Sequence, residues 1–431
     1  MKFIWLLFFI EFVLGAVIKV VFGYQSSVGI VLFLIHMTLT LGYLMSYSYN
    51  MKFILIAGFI IRICGLLYDV YFDVPFLMLN SSTDAEAFYE AGRGYYNDMS
   101  LIFTDFYRRG GLYGKFLGIW FFLQGPSRLW AQYLNTVCGL SVLLMLIKTM
   151  NLINITRKTQ LIIVTIAAFF FQSVMKSSTL QREMLPTFFV VCSLYFFIMW
   201  LKYSGFNNWV LVWLSLLAAS FFHAGVLGVS VGYIFGFALY DKKAKKAKFK
   251  SRSLAMISII IICGFFIATY AGNIFMRKFE GNDFDSIAEK ASREGRGGAA
   301  YNVGINVNTP IGLVFGGILR AVYFISSPTP WYWRGLSDIS SFFLDAIVYI
   351  VTLFLVFKRR KVLFKDENWA MCIIFITLCI IGGTFVFGIG VSNAGPAMRH
   401  RQKLISLFLI LLAFALDAKK NKTSKLSFMN K

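Results

Sequence analysis

Acid and histidine are scarce in this chain: 20 Asp and Glu stand against 42 Lys and Arg, and 431 residues hold three histidines. No His, Asp and Glu cluster has transition-metal spacing, no phosphate-cradling glycine loop opens a helix, and no G-x-S-x-G elbow occurs. Metal-centred chemistry, nucleotide chemistry and serine hydrolysis are therefore disfavoured, and no cofactor is expected. The six cysteines (Cys64, Cys138, Cys192, Cys263, Cys372, Cys379) all lie in apolar runs without a C-x-x-C pair. They read as core fillers rather than a metal site or disulfide framework. Charge is low as well, at 14% of residues, which excludes an ordinary soluble domain.

What fills the chain instead is apolar: 58% of residues are hydrophobic and the mean hydropathy is +0.70. The fold class is an all-α polytopic membrane protein, a single integral membrane domain over 1–431. The run from Phe3 spans with Glu11 and Lys19 inside it and no small-residue cleavage signature after it, so it reads as a retained helix rather than a signal peptide. Twelve spans are expected, near 3–23, 27–47, 53–72, 128–149, 160–176, 184–202, 208–222, 224–240, 254–271, 341–357, 369–388 and 404–417. Two shorter glycine-bearing pieces, 112–124 and 310–325, are crossings or reentrant half-helices.

The formal charge of +22 follows largely from topology. Basic clusters at 242–252 (KKAKKAKFKSR), 358–361 (KRRK) and from Lys419 onward flank apolar runs, which marks the cytoplasmic side and contact with anionic membrane lipids, not nucleic acid. Two cytoplasmic clusters need an even number of crossings between them, so 310–325 enters and leaves on one side, and the same parity applies to 112–124. Both termini come out cytoplasmic. Segments 73–111, 176–183, 272–333 and 391–403 come out external, with His223 at the tip of a hairpin on the same face. Loops 73–111 and 272–340 then form the outward catalytic surface, the second carrying a lid.

The stretch VSNAGPAMRHRQK, 391–403, places Arg399, His400 and Arg401 on that outer face, where basic residues are normally rare. The segment STDAEAFYEAG predicts an external amphipathic helix lying on the bilayer, with Ala85, Phe88, Tyr89, Gly92 and Tyr96 on one stripe. In it Thr83 and Glu86 fit a capping box, and Asp84 either favours the positive helix end or orients an acceptor. Arg93 pairs with Glu90 or Glu86, or reaches a phosphate. Gln181-Arg182-Glu183 opens the 184–202 span, as an ion pair between helices or with Arg182 facing an anion that Glu183 orients. Arg320 lies within an apolar piece, where a guanidinium needs an anion. Trp331 and Trp333, beside Arg334, are belt residues or sugar-stacking ones. Arg293 and Arg296 lie in the long glycine-rich loop. His223 and His400 compete as general base, since His36 is expected mid-span with no polar neighbours. Arginines gathered on one outward face make either separate ion pairs or one anion site for a lipid-linked phosphate or pyrophosphate.

These residues resemble Wzy-type polymerases, which join lipid-linked oligosaccharide repeat units of O-antigens and capsules. NAGPAMRHRQK is similar to their Asn-x-Gly-Thr-Ala-x-Arg-x-Arg stretch, with Pro396 where threonine is common. Gln181-Arg-Glu, the STDAEAFYEAG helix and the turn at 328–333 follow in similar order, and Arg293 to Gly304 and Arg296 to Gly312 match the family's arginine-to-glycine spacing. The resemblance implies a metal-independent, inverting glycosyltransferase on the outer face of the bacterial cytoplasmic membrane. Arg93, Arg182, Arg320, Arg399 and Arg401 would hold the pyrophosphate, and His223, Asp84, Glu183 or His400 would serve the acceptor hydroxyl. Arg293, Arg296, Trp331, Trp333 and Arg334 would form a substrate loop. Its partners would be polyprenyl-pyrophosphate-linked oligosaccharides, membrane lipids and a chain-length regulator protein. The alternatives are a GT-C glycosyltransferase using a polyprenyl-phosphate sugar, an O-antigen ligase, and a lipid-linked sugar transporter or flippase.

The topology is checked with Asn393→Cys in a background freed of the native cysteines. An impermeant thiol reagent is expected to label it on intact cells, and labelling only after lysis would put Arg399 and Arg401 inside.

Overall fold

The computed structural model describes residues 1–72, 82–104, 110–241, 246–247, 300–301, 310–365 and 367–418. The expected span at 254–271, the basic cluster at 242–252 for the most part, the loop arginines Arg293 and Arg296, and the tail from Lys419 lie outside these residues. The described residues are mainly helical, with one short antiparallel pairing of Tyr240–Asp241 and Lys246–Ala247. Helices α1 (Lys2–Phe22), α2 (Ser26–Leu44), α3 (Tyr49–Tyr71), α4 (Ser82–Asn97), the single turn α5 (Leu101–Thr104), α6 (Gly111–Gln124) and α7 (Arg128–Leu152) come first. They are followed by α8 (Arg157–Phe169), α9 (Phe171–Ser178), α10 (Met184–Tyr203) and α11 (Phe206–Phe222). A 3-10 turn (Ala224–Val229) leads into α12 (Ser230–Leu239). The last group is α13 (Pro310–Ser326), α14 (Leu336–Leu363), α15 (Glu367–Ile389), α16 (Ala394–Arg401) and α17 (Ile405–Asp417).

Seven of the described helices, α1, α2, α3, α7, α10, α14 and α15, are long and apolar enough to cross a bilayer. An eighth crossing results if α8 and α9, bent by 50° at Phe170, count as one. An apolar run of about 20 residues can satisfy its backbone in lipid only by closing hydrogen bonds within itself, which is why these runs are helices. The pieces expected as spans at 208–222 and 224–240 are shorter apolar helices, and the run at 404–417 is the 13-residue α17.

The chain divides into two compact units. The first comprises Met1–Lys148, Val164–Val191 and Phe221–His223; the second comprises Thr149–Ile163, Cys192–Ser220 and Ala224–Lys431.

In the first unit α4 is amphipathic, as its spacing predicts; Ala85, Phe88 and Gly92 of the expected stripe are buried, joined by Ala91 and Tyr95 in place of Tyr89 and Tyr96, and the stripe is seated on α6. Small residues allow that approach: a Cβ at Gly118 would fall 2.4 Å from Tyr95, and one at Gly92 would fall 2.8 Å from Leu117. Glu86 engages Arg128, which also reaches Asp69 at 3.3 Å. The bend between α8 and α9 frees backbone carbonyls, and Arg62 of α3 takes them. Its fully buried guanidinium donates to Ala168 at 2.7 Å, to Ala167 at 3.4 Å and to its own Gly58 at 2.6 Å. A cation at a helix C-terminus is favoured by the dipole, so this arginine sits stably in an apolar layer without an acid. His36 is not without polar neighbours, contrary to the sequence reading: Tyr133 Oη lies 2.9 Å from its Nδ1 and the Ile4 carbonyl 3.1 Å from its Nε2. Those partners are far apart in sequence and meet only when α1, α2 and α7 pack.

In the second unit α15 is central. Gly228 and Gly232, four residues apart, lie along the face turned to it, and a Cβ at Gly228 would come within 2.4 Å of the Gly382 carbonyl oxygen; Gly236, the next in the repeat, packs against Phe197 of α10. In lipid, where apolar side chains gain nothing by leaving solvent for each other, such close backbone contact is a main source of helix adhesion. At the other end, Asp417 accepts from Thr159 at 3.0 Å and also from the Thr156 hydroxyl, tying the end of α17 to the start of α8.

Gly228→Ala is expected to lower the unfolding temperature of the purified protein, through a cost of about 1–3 kcal/mol for forcing two backbones apart. Gly42→Ala, where nothing lies within 4 Å of the added carbon, serves as control and is expected to leave it unchanged.

Candidate functional site

Each unit gathers part of the expected set. Asp84, Arg93, Arg182, Glu183 and His223 belong to the first, and Arg320, Trp331, Trp333, Arg334, Arg399, His400 and Arg401 to the second.

In the first unit the site is the non-helical turn between α9 and α10. Asn135 of α7 builds it, its amide donating to the carbonyls of Thr179 and Gln181 at 2.7 Å each. One turn earlier on the same face Gln132 donates to Ser178 at 2.5 Å, and Thr136 donates to Ser177 at 2.8 Å. Three side chains at i, i+3 and i+4 thus satisfy the carbonyls that α9 leaves open at its end. The turn presents Gln181, Arg182 and Glu183. Gln181 is 1% exposed, and among the described residues neither its amide oxygen nor its nitrogen has a hydrogen-bond partner. Arg182 Nε lies 3.8 Å from Glu183 Oε1, too far for a hydrogen bond, and is likewise a buried donor without an acceptor among the described residues. The guanidinium rests over the Phe88 ring of α4 at 5.8 Å. Asp84 occupies the first turn of α4. Arg93, on the exposed side of that helix, faces Glu90 at 3.5 Å. His223 follows α11 directly and is half-buried, next to Phe222, which stands edge-on to Phe116 at 5.7 Å.

In the second unit the three residues Arg399-His400-Arg401 part company. They lie on the short helix α16, capped by the Asn393 side chain, which accepts from Gly395 N at 3.1 Å. Successive residues on a helix point about 100° apart, so this run cannot form one basic face. Arg401 turns inward to 1% exposure. Its Nε donates to Asp345 Oδ2 at 2.6 Å, its Nη2 to the same oxygen, and its Nη1 to the carbonyls of Phe324, Ile325 and Ser327 at 3.1, 2.9 and 2.6 Å. Asp345 stands in the π-helical turn Phe342–Ala346 of α14, where the extra residue per turn re-aims the side chain. His400 is half-buried and stacks on Phe387 at 5.6 Å, and Lys403 Nζ lies 3.0 Å from its Nδ1. An ammonium has no lone pair, so Nδ1 is the acceptor and Nε2 carries the ring proton. Arg399 is half-buried on the same helix.

Arg320 of α13 is 6% exposed and donates to the Ile389 carbonyl at 3.2 Å, while its Nε has no acceptor among the described residues. Tyr301 pairs with the segment before α16: its N–H donates to Ser392 at 3.0 Å and its hydroxyl to Val391 at 3.1 Å. Burial pushes the Tyr301 phenol up against the opposing pull of Arg401 and Arg320. The Pro328–Trp333 turn is closed by Trp333 Nε1 donating to the Pro328 carbonyl at 3.0 Å, while Trp331 is 70% exposed. Arg334 and Asp338 form a fork at 2.7 and 2.6 Å. Beside them a small pocket is lined by Tyr301, Ser327, Thr329, Tyr332 and Asp338.

Sequence reasoning missed Arg62, Asn135 and Asp345. Each had a signal, being a polar residue inside an apolar run, where it must find a partner. Among the described residues no three His, Cys, Asp or Glu gather as a metal site would require. No family model, no curated protein and no solved structure matches the chain.

Asp345→Asn is expected to reduce the yield of monodisperse protein and lower its unfolding temperature. Halving a buried pair costs about 3–5 kcal/mol. Arg401→Lys should behave alike, since an ammonium cannot span Asp345 and three carbonyls at once.

Proposed function

We propose that the chain is a membrane glycosyltransferase that joins polyprenyl-pyrophosphate-linked oligosaccharide repeat units into a surface polysaccharide on the outer face of the cytoplasmic membrane. The observation that carries this reading is that Arg182 and Arg320 each bury a guanidinium N–H with no acceptor among the described residues. A cation with an unspent donor in an apolar setting calls for an anion, and pyrophosphate at the membrane surface supplies one in the bidentate form arginine prefers. The resemblance of NAGPAMRHRQK and Gln181-Arg-Glu to Wzy-type polymerases points the same way.

In this reading twelve crossings and two half-helices put both termini in the cytoplasm and the polar turns outside. The pyrophosphate of the growing chain is held by Arg182 of the first unit, with Arg93 at its surface, or by Arg320 and Arg399 of the second. Arg401 holds the turn at Ser327 in shape, since its donors are spent inside the protein. The acceptor sugar's hydroxyl oxygen attacks the anomeric carbon, and the carbon–oxygen bond to pyrophosphate breaks with inversion. The hydroxyl proton passes to His223 or Asp84. His400, with Nδ1 already accepting from Lys403, donates through Nε2–H instead. Guanidinium groups stabilise the departing pyrophosphate in place of a metal, and Trp331 offers an exposed face for a sugar ring. A chain-length regulator and the surrounding lipids are the expected partners.

Deleting the gene in its host is expected to replace the polysaccharide ladder on a gel by single repeat units, and a normal ladder would overturn the proposal. With purified protein in vesicles, Arg182→Ala is expected to cut polymer formation by roughly 100-fold, as removing one charge-stabilising donor does, with activity persisting in a chelator. Loss of activity in the chelator would favour a GT-C enzyme.

A further inference from the structure

The small pocket beside the Arg334–Asp338 fork is walled by chain from three places in the second unit: Tyr301, the turn from Ser327 to Tyr332, and Ala394 at the start of α16. Arg401 fixes the turn by donating to the Ser327 carbonyl at 2.6 Å, and Trp333 closes it on the Pro328 carbonyl at 3.0 Å. The wall is therefore held in place by the protein's own bonds.

Two side chains of that wall have hydrogen-bonding capacity left over. Ser327 is 1% exposed and Thr329 2%, and among the described residues neither hydroxyl has a hydrogen-bond partner. Hydroxyls within the neighbouring helices return their proton to a carbonyl four residues back, as Ser326 does to Val322 at 2.8 Å and Thr352 to Val348 at 2.7 Å. Ser327 and Thr329 follow the end of α13 and make no such bond. A buried hydroxyl left unbonded is costly, so two lining one pocket call for a partner that enters it.

Size and charge narrow what that partner is. The space suits one hydroxyl or hydroxymethyl group and not a whole ring. Arg334 and Asp338 neutralise each other at 2.7 and 2.6 Å, so the lining has no net charge with which to hold a phosphate or an ammonium ion. A small neutral group that donates and accepts at one point is a hydroxyl. Its carrier has an aromatic surface to lie on. Tyr332 lines the pocket and is also exposed, and Tyr323 joins it to the exposed Trp331, standing edge-on to the two rings at 6.1 and 6.3 Å. A pyranose matches both features, with an apolar C–H face for the ring and hydroxyls around its edge.

We propose that this pocket is a sugar subsite that reads one hydroxyl of a neutral pyranose: Ser327 and Thr329 bind that hydroxyl while the sugar ring lies against Tyr332. The source of the sugar, a lipid-linked repeat unit on the outer face, rests on the glycosyl-transfer reading. What the pocket adds is selection, because a site built to bond a hydroxyl rejects the deoxy sugar that would leave its own groups unpaired.

The test is saturation-transfer NMR on the full-length protein in lipid nanodiscs, with the methyl glycosides of glucose, galactose, mannose, N-acetylglucosamine and N-acetylgalactosamine as probes. At least one is expected to bind, and among its monodeoxy analogues the one lacking the hydroxyl that is read should bind about 10-fold more weakly. Ser327→Ala and Thr329→Val should each weaken binding by a similar factor while leaving the unfolding temperature unchanged or raised, since no internal bond is lost. Thr329→Ser, which keeps the hydroxyl, is expected to retain binding. Binding by none of the glycosides, equal binding by every deoxy analogue, or displacement by inorganic phosphate would overturn the subsite. So would a fall in unfolding temperature in both hydroxyl-free variants, which would show the hydroxyls bonded within the protein. The two readings fail separately: a glycoside held here with a normal ladder after gene deletion removes the polymerase alone, and a lost ladder without glycoside binding removes the subsite alone.

Discussion

The contact on which the second unit depends is the buried pair of Arg401 and Asp345. Neither group could be in an apolar interior alone, because removing a single charge from water costs several kcal/mol. Together, with three backbone carbonyls completing the guanidinium's bonds, they join the end of α13, the π-helical turn of α14 and the end of α16. The chain enters the Ser327–Trp333 turn at a carbonyl that Arg401 holds. Ahead of α13, Tyr301 pairs with the segment that leads into α16. The polar features around Arg320, Arg334 and the small pocket therefore share one anchor, and it is a residue that the linear pattern groups with its half-buried neighbours Arg399 and His400.

The first unit solves a similar problem without an acid. Two interruptions, the bend at Phe170 and the turn at 179–183, leave carbonyls that lipid cannot satisfy. Arg62 covers one set and Gln132, Asn135 and Thr136 cover the other. These polar residues are spent on making an irregular backbone tolerable, and the same irregularity leaves Gln181 and Arg182 with unused hydrogen-bonding capacity inside the protein. Scaffold and candidate site are consecutive parts of one arrangement.

The helices were legible in the sequence wherever an apolar run was uninterrupted: α1, α2, α3, α7, α10 and α15 begin and end within a few residues of the expected spans. The bend at Phe170 was not, since no proline or glycine marks it and hydropathy does not register direction. The partners of Arg401 and His36 were hidden for another reason. Asp345 is 56 residues from Arg401 and Tyr133 is 97 from His36, so only tertiary packing brings them together. A short helix also separated what spacing alone had grouped, sending Arg401 into the core while Arg399 and His400 stay at half burial.

The glycines at 228, 232 and 382 carry no functional group, yet each lies where a single methyl would strike a neighbouring backbone. Natural variation at these three sites should be as narrow as at any catalytic position. Invariance there would record how close two helices come, and a search for chemistry guided by constancy alone would be drawn to residues that carry none.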